Sequence, residues 1–592
     1  MTVEQIILLL ILLAALICFV TERWRYDIVA LLALLAATLT GIVPAEAAFS
    51  GFGHAAVITV TAVLVVGRAL QNSGLVDFLA GYALKVGDRP TLQVFALSGV
   101  VAILSAFMNN VGALALLLPV AIRMARNGGH PPSLLLMPLA FGSLLGGMTT
   151  LIGTPPNIII SAFRAETNQA SFRMFDFSPV GIGIALCGVL YLSIIGWRLV
   201  PRRKGQLSPE ELFQIDDYVS EVRVPDDSKL AGQFLSDLEE IVEHDVSVVG
   251  LVRGERRLLV PSKYEILQGG DVLMVEGDSN ALKGLLDKAK LELVGDKSED
   301  GLELGSEEVG VIEAIVRPNS ALIGNTIWTF QLRWRYGLNL LGVAREGERL
   351  QQRLKDICFQ PGDVLLLQGP SATLQETLSV LGCLPLAERG LRFGPRRLLL
   401  SVAIFALTIG TLAAGLVTAP IALVGAAVLM VLFKLVSLRE AYDSIDWPVI
   451  VMLGAMLPVG AAMDTTGAAD LVARGLLQIS AQLYPAATLA LVLVCVMVLS
   501  DVINNAAAAV LMAPVAVGVA HGMGASVDPF LMAVAIGASC AFLTPIGHQS
   551  NTLILGPGGY KFADYFRVGL PLEILIVSVA IPLILYFWPL GM

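Results

Sequence analysis

Charge is scarce in this sequence. Only 15% of its 592 residues are Asp, Glu, Lys or Arg while 56% are hydrophobic, against about 25% charged in ordinary soluble domains. With a mean hydropathy of +0.76, an integral membrane protein is expected. The six cysteines (Cys18, Cys187, Cys358, Cys383, Cys495, Cys540) are scattered and show no C-x-x-C spacing, so neither a disulfide framework nor a zinc site is indicated. The five histidines are equally dispersed, so no metalloenzyme cluster and no cofactor is expected. A lone intramembrane histidine such as His548 reads as packed or hydrogen-bonded, not as a ligand. The sequence has no H-E-x-x-H and no nucleophile-base-acid set, which argues against a membrane enzyme. It also lacks a T-V-G-Y-G filter, which argues against a ligand-gated channel. The net charge is -10 and the basic residues form no stripe, so no nucleic-acid partner is indicated.

What is present is repetition. Ser105-Ala-Phe-Met-Asn109-Asn110 running on to Pro119-Val120-Ala121 matches Ser500-Asp-Val-Ile-Asn504-Asn505 running on to Pro514-Val515-Ala516. Both read S-x-x-x-N-N-x-x-A-x-x-L-x-x-P-V-A. Polar amides gathered at one point of an apolar segment survive in hydrocarbon only when buried in protein or lining a wet cavity, so the two places together mark a site. A second pair, Thr150-Leu-Ile-Gly153-Thr-Pro-Pro-Asn157 and Thr544-Pro-Ile-Gly547-His-Gln-Ser-Asn551, reads T-x-I-G-x-x-x-N. Gly and Pro at this density break a helix and free carbonyls for a cation and N–H groups for an anion.

Apolar runs fall near 5-20, 27-43, 54-72, 91-122, 133-162 and 180-200, and again near 398-415, 418-434, 446-463, 485-520, 528-556 and 568-588, offset by about 395 throughout. This is an internal duplication. Residues 5 to 20 lack a basic n-region and a small-residue cleavage site and end at Glu22-Arg23-Trp24-Arg25, and so read as a retained first span, not a signal peptide. The runs at 91-122 and 485-520 are too long for one span and read as re-entrant hairpins. Five crossings plus a hairpin per half turn the second copy upside down, the inverted-repeat plan of secondary transporters. Arg23 and Arg25, Lys85 and Arg89, Arg123 and Arg126, Arg202-Arg203-Lys204, Arg396-Arg397, Lys434 and Arg439, and Lys561 and Arg567 fall on one side, taken as the cytoplasm. Arg164 and Arg173 are exceptions.

Most of the charged residues lie between 201 and 397, a stretch expected to be soluble and cytoplasmic. It is duplicated at an offset of 92. Ser228-Lys-Leu-Ala-Gly232 matches Ser320-Ala-Leu-Ile-Gly324, and Gly270-Asp271-Val-Leu-Met-Val-Glu-Gly277 matches Gly362-Asp363-Val-Leu-Leu-Leu-Gln-Gly369. Short β-branched runs punctuated by Gly-Asp predict two small α/β modules, neither with a G-x-G-x-x-G. The expected fold class is thus a polytopic α-helical membrane protein with inverted repeats, re-entrant hairpins and broken helices, carrying an inserted tandem of small α/β cytoplasmic domains. The domains run 1-200 (first membrane repeat), 201-300 and 301-390 (the two modules) and 391-592 (second, inverted repeat).

On these motifs, most specifically Thr544-Pro-Ile-Gly-His-Gln-Ser-Asn-Thr-Leu-Ile-Leu-Gly-Pro-Gly-Gly559, the membrane halves resemble the divalent anion/sodium symporter family of the ion transporter superfamily. The insert resembles a tandem of TrkA-C or RCK-C regulatory domains. The resemblance implies a homodimeric inner-membrane, multi-pass carrier with an elevator-like motion, sodium as coupling ion and sulfate or another small dianion as substrate. It further implies one sodium held by Ser105, Asn109, Asn110, Thr150 and Gly153 and the other by Ser500, Asn504, Asn505, Thr544 and Gly547. For the substrate it implies contacts from Asn109-Asn110-Val111, Asn504-Asn505-Ala506, Pro155, Asn157, Ser550, Asn551 and Thr552. The family's hairpin tips usually read Ser-Asn-Thr, and the lost hydroxyls here tilt the substrate from a succinate-type dicarboxylate toward a compact oxyanion such as sulfate. A sodium- or proton-coupled dicarboxylate carrier is the alternative, and a metalloid permease of the same superfamily a further one. Asp501, where the first hairpin has Ala106, reads as a proton or third-cation site, or as a residue at the wet mouth of the hairpin or capping the next segment. The modules are expected either to bind a nucleotide-type ligand or to stabilise the dimer.

Overall fold

The computed structural model describes residues 1–21, 24–75, 86–167, 170–202, 395–480 and 484–591, and much of 219–386. Arg23, Lys85, Arg203 and Lys204, which enter the orientation argument, lie outside the described residues. The chain divides into a unit of Met1–Arg202, Arg389–Ile554 and Lys561–Met592 and a unit of Arg203–Glu388 with Leu555–Tyr560.

The first unit is helical and the protein is a polytopic membrane protein. Its first half runs α1 (Val3–Thr21), α2 (Tyr26–Leu39), α3 (Ala55–Asn72), α4 (Pro90–Ser105), α5 (Asn110–Asn127), α6 (Ser133–Gly147), α7 (Pro155–Glu166) and α8 (Ser178–Leu199). The second runs α9 (Pro395–Ala413), α10 (Ala419–Leu432), α11 (Trp447–Thr465), α12 (Ala468–Ser480), α13 (Pro485–Ser500), α14 (Asn505–Met523), α15 (Val527–Ala538), α16 (Gln549–Gly558) and α17 (Phe562–Phe587). Among the described residues seven helices are long and apolar enough to cross a membrane, and shorter apolar helices accompany them. Of these helices, α12 has no counterpart among the apolar runs read from the sequence. Its charged residues, Asp470 and Arg474, make it amphipathic and hide it from a search for unbroken hydrophobicity.

The halves interlock as two copies of one plan. Helix α2 packs on α11 and α3 on α10, each the counterpart of the other pair, and α8 packs on its own counterpart α17. The same logic makes each long run a hairpin. Helices α4 and α13 both begin with proline, where a missing N–H costs nothing, and α5 and α14 restart at an Asn cap. Prolines 155 and 156 likewise open α7 after a non-helical stretch.

One ion pair ties the first half to the second. Arg164 Nε and Nη2 on α7 each donate to an Asp528 carboxylate oxygen on α15 at 2.7 Å, and the guanidinium lies 4.4 Å from the centre of the Phe172 ring. With both side chains largely buried, Arg164→Ala strands a carboxylate and should cost about 3 kcal/mol or more, whereas replacing both by leucine should cost much less. Thermal unfolding of the purified single and double variants checks this.

The second unit contains two five-stranded antiparallel sheets of one topology. In the first, β1 (Val219–Arg223), β2 (Val246–Arg253), β3 (Arg256–Leu259), β4 (Val272–Gly277) and β5 (Glu292–Leu293) lie in the order β3-β2-β4-β1-β5. In the second, β6 (Val309–Val316), β7 (Asn339–Arg345), β8 (Glu348–Arg349), β9 (Val364–Pro370) and β10 (Cys383–Pro385) repeat it as β8-β7-β9-β6-β10. The register shift between Val248 and Gly250 recurs between Leu340 and Gly342. The Gly-Asp signal has a structural job in each. Asp271 takes two hydrogen bonds from Arg253 (2.8 and 2.7 Å), and Asp363 takes two from Arg345 (2.7 and 2.8 Å). Burial pushes the Cys383 thiol up to about 12, offset in part by the Ser320 hydroxyl and Arg317, whereas Cys358 is exposed. A maleimide should therefore modify Cys358 and spare Cys383 until the module is unfolded, as peptide mass mapping would show.

Candidate functional site

The first hairpin and its broken helix meet at Asn110. This side chain, 3% exposed, stands at the start of α5. Its amide Oδ1 lies 2.6 Å from Ser105 Oγ. That same position is 3.2 Å from the Gly153 carbonyl and 3.3 Å from the Ser143 carbonyl, and turning the amide puts its nitrogen there to donate to all three oxygens. Three oxygens from three segments thus converge on one amide. Asn109, one residue earlier, is half-buried and accepts the Val111 N–H at 3.1 Å, the ordinary work of an N-cap. Thr150 donates its hydroxyl to the Ala106 carbonyl at the hairpin tip. Asn157 holds the break open by donating to Thr150 O at 2.8 Å and Gly147 O at 3.5 Å. Close packing here requires glycine: a Cβ at Gly147 would sit 2.5 Å from Asn110 Oδ1, and one at Gly153 would sit 2.5 Å from Gly147 O.

The second copy repeats the scaffold. Thr544 donates to the Asp501 carbonyl at 2.6 Å, as Thr150 does to Ala106. Asn551 donates to Thr544 O at 3.0 Å and Ala541 O at 2.7 Å, as Asn157 does to Thr150 and Gly147. The Asn504 Oδ1 accepts the Ala506 N–H at 2.9 Å. Gly547 lies against the hairpin, where its Cβ would be 2.8 Å from Ser500 O. The oxygen cluster itself is not repeated. Ser500 donates to the Ala538 carbonyl at 2.7 Å, and Asn505 Oδ1 accepts the Ala506 N–H at 2.8 Å. The copies differ where the first brings three oxygens to an amide.

The two copies also touch. Ser143 Oγ on α6 is 3.5 Å from Ser550 Oγ on α16. Ser550 donates its N–H to His548 Nδ1 at 3.0 Å, so His548 is an acceptor within its own turn, and Thr552 donates to the Pro545 carbonyl at 2.8 Å. Among the described residues, buried Thr154 Oγ1 and Asn551 Oδ1 meet no hydrogen-bond partner. Pro155 opens α7 right behind Thr154.

Asp501 is neither at a wet mouth nor a cap for α14. It is 4% exposed, and its Oδ1 accepts the Leu543 N–H at 2.9 Å, which ties the hairpin to the second break. Sequence reasoning missed Ser143, whose contribution is a backbone oxygen and leaves no mark on residue type. It also missed Gly147, visible only as the second half of a Gly-Gly pair. Glu573, buried in α17 against Asp501, was detectable as an acid in the middle of a hydrophobic span.

A family model described as citrate transporter matches residues 16–537. The chain belongs to this citrate transporter family. Similar relatives of the family member include an uncharacterized transporter of Synechocystis sp., 31% identical over 97% of this chain and 96% of the relative, and one of Escherichia coli, 31% identical over 99% of each. A protein of Chlamydomonas reinhardtii named sodium/sulfate cotransporter 1 is 27% identical over 57% of this chain and 40% of its own length. This citrate transporter family member is accordingly a transporter, not an enzyme.

Proposed function

We propose that the protein is a secondary active transporter that couples sodium entry to uptake of a small dianion, sulfate foremost. The observation that carries the reading is the cluster of Ser105 Oγ, Gly153 O and Ser143 O around the Asn110 amide. Neutral oxygens converging in a buried, carboxylate-free place suit a hard monovalent cation, which takes hydroxyl and carbonyl ligands. Among the described residues no group of three or more His, Cys, Asp or Glu offers a transition-metal site. A cation bound there would take the place of the amide N–H donors, with the amide turned so that its oxygen becomes a fourth ligand.

The anion reading draws on four helix N-termini, those of α5, α7, α14 and α16, each next to a repeated polar motif. Their positive dipole ends favour negative charge. Asn109 and Asn504 are half-buried at two of them. A cation bound first would offset part of the dianion's charge, which couples the two without covalent chemistry. The sulfate preference rests on the missing hydroxyls of the hairpin tips and on the cotransporter named above. A carboxylate substrate is favoured instead by the description of the family. Alternating exposure of the hairpin sites by an elevator-like motion, a dimer of such units and regulation through the two modules complete the proposal. Regulation of this kind requires a ligand that binds one transport state more tightly than the other.

The test is uptake of radiolabelled sulfate by proteoliposomes holding the full chain, under an inward sodium gradient, a proton gradient or neither, with unlabelled succinate and citrate as competitors. Saturable accumulation that needs sodium and ignores both carboxylates supports the sulfate reading. Competition by either carboxylate moves the substrate to that class, and accumulation under a proton gradient alone removes sodium from the mechanism.

A further inference from the structure

The two breaks share a wall, and one residue of it faces both. Helix α6 packs on α4, α5 and α8. Toward the first copy, its Gly147 lies against the Asn110 amide, and its Ser143 carbonyl stands 3.3 Å from the amide position that Ser105 Oγ and Gly153 O also meet. Toward the second copy, its Phe141 ring meets Phe542 edge-on at 5.0 Å and Tyr565 at 6.4 Å. The buried Ser143 hydroxyl donates to Ala140 O at 2.7 Å and lies 3.5 Å from the hydroxyl of Ser550, which is buried too. The main chain of Ser143 thus serves the first copy and its side chain the second.

Ser550 lies in the first turn of α16, and this turn is pinned on several sides. Its N–H donates to His548 Nδ1 at 3.0 Å. The next residue, Asn551, donates from its amide to Ala541 O and Thr544 O at 2.7 and 3.0 Å, and its carbonyl accepts the buried Tyr565 hydroxyl at 2.7 Å. A turn held this way passes on a displacement instead of absorbing it. The second copy has a different residue at the matching place. A Cβ on Gly142 would lie 3.0 Å from Ser98 O and 2.9 Å from Val101 Cγ1, and one on Gly537 would lie 2.9 Å from both Leu493 O and Val496 Cβ, which sets Ser143 opposite Ala538 in the repeat. Alanine has no hydroxyl to offer the first break, and the Ala538 carbonyl is taken by Ser500.

We infer that Ser143 couples the two binding events of the transport cycle: a cation drawing on its carbonyl fixes its hydroxyl against Ser550, and so sets the first turn of α16 for the anion. The inference rests on the sodium and dianion reading above and names the residue through which one ion favours the other. Toward the anion Ser143 is a positioning residue, because it acts through Ser550. Both hydroxyls are buried, so a change at one is felt by the other and not absorbed by solvent. Coupling of this kind is reciprocal. Whatever factor sodium adds to the affinity for the anion, the anion adds to the affinity for sodium.

The experiment measures uptake of radiolabelled sulfate, with radiolabelled citrate in parallel, into proteoliposomes holding the full-length protein. Its readout is the anion concentration for half-maximal uptake at a low and at a high sodium concentration. In the wild type, high sodium should lower that concentration by about 5-fold or more, the lower end of ordinary coupling between sites. In Ser143→Ala, which keeps the backbone carbonyl, the ratio should fall close to one. Ser550→Ala and the double variant should match it, because all three remove the same contact. A residue that only supports the fold would lower maximal uptake and leave the ratio as it was. Wild-type ratios in both single variants, or losses that add up in the double variant, overturn the inference while sodium-driven transport stands. A wild type that takes up either anion with no effect of sodium removes the sodium reading, and the inference with it.

Discussion

Asn110→Ala is expected to lower sodium-driven anion uptake by about 100-fold or more, with the protein still expressed and folded. The side chain meets Ser105 Oγ, Gly153 O and Ser143 O. Each such contact is worth roughly 1 to 1.5 kcal/mol, so losing two or three of them amounts to about 2 to 4.5 kcal/mol. The effect should appear as a rise in the sodium concentration for half-maximal uptake, not as a change in substrate selectivity. Asn110→Asp separates the possibilities. A carboxylate of the same shape keeps the oxygen ligands and adds a charge, so sodium dependence should survive or sharpen. A purely structural amide would leave both variants equally impaired. Asn505→Ala should do less, of order tenfold, because Asn505 accepts only the adjacent Ala506 N–H while Ser500 is engaged with Ala538 O. Equal losses at the two positions in dose-response uptake assays would refute the asymmetry between the copies.

That asymmetry marks how far the sequence was readable. The helix breaks were legible because Gly and Pro act locally: Thr150 to Asn157 and Thr544 to Asn551 fold as the repeated motif predicts, down to matching bonds from Asn157 to Thr150 O and from Asn551 to Thr544 O. The hairpins were legible because hydrocarbon tolerates no stray amide. The duplicated modules were legible because each Gly-Asp places its carboxylate under an arginine 18 positions back, Arg253 for Asp271 and Arg345 for Asp363. What the sequence concealed is pairing across distance. Ser105 and Ser500 occupy equivalent positions, yet one bonds an amide and the other a carbonyl, a choice made by packing around α6 and α15. Glu573 and Asp501 are 72 positions apart, and no local pattern says that α17 brings them together.

Gly146→Ala is expected to destabilise the protein by about 3 kcal/mol, although it adds a single methyl. A Cβ there would sit 2.2 Å from the Ala102 carbonyl oxygen, 2.5 Å from the Ala102 Cα and 2.7 Å from its carbonyl carbon. Every obstacle is backbone, so no side chain can swing aside, and α6 must part from α4. Gly99→Ala is the matched control on α4. Nothing lies within 4 Å of its added carbon, and alanine favours a helix over glycine by up to about 1 kcal/mol, so stability should hold or rise slightly. Thermal unfolding of the two variants in detergent distinguishes a contact effect from a glycine effect. Equal shifts would mean that the α4–α6 approach is looser than the structure shows. The same displacement carries a functional consequence, because Gly147 is the next residue and faces Asn110. Moving α6 outward would pull the Ser143 carbonyl from the amide it meets. Gly146→Ala should therefore raise the sodium requirement of whatever protein survives purification, whereas Gly99→Ala should leave it where it was.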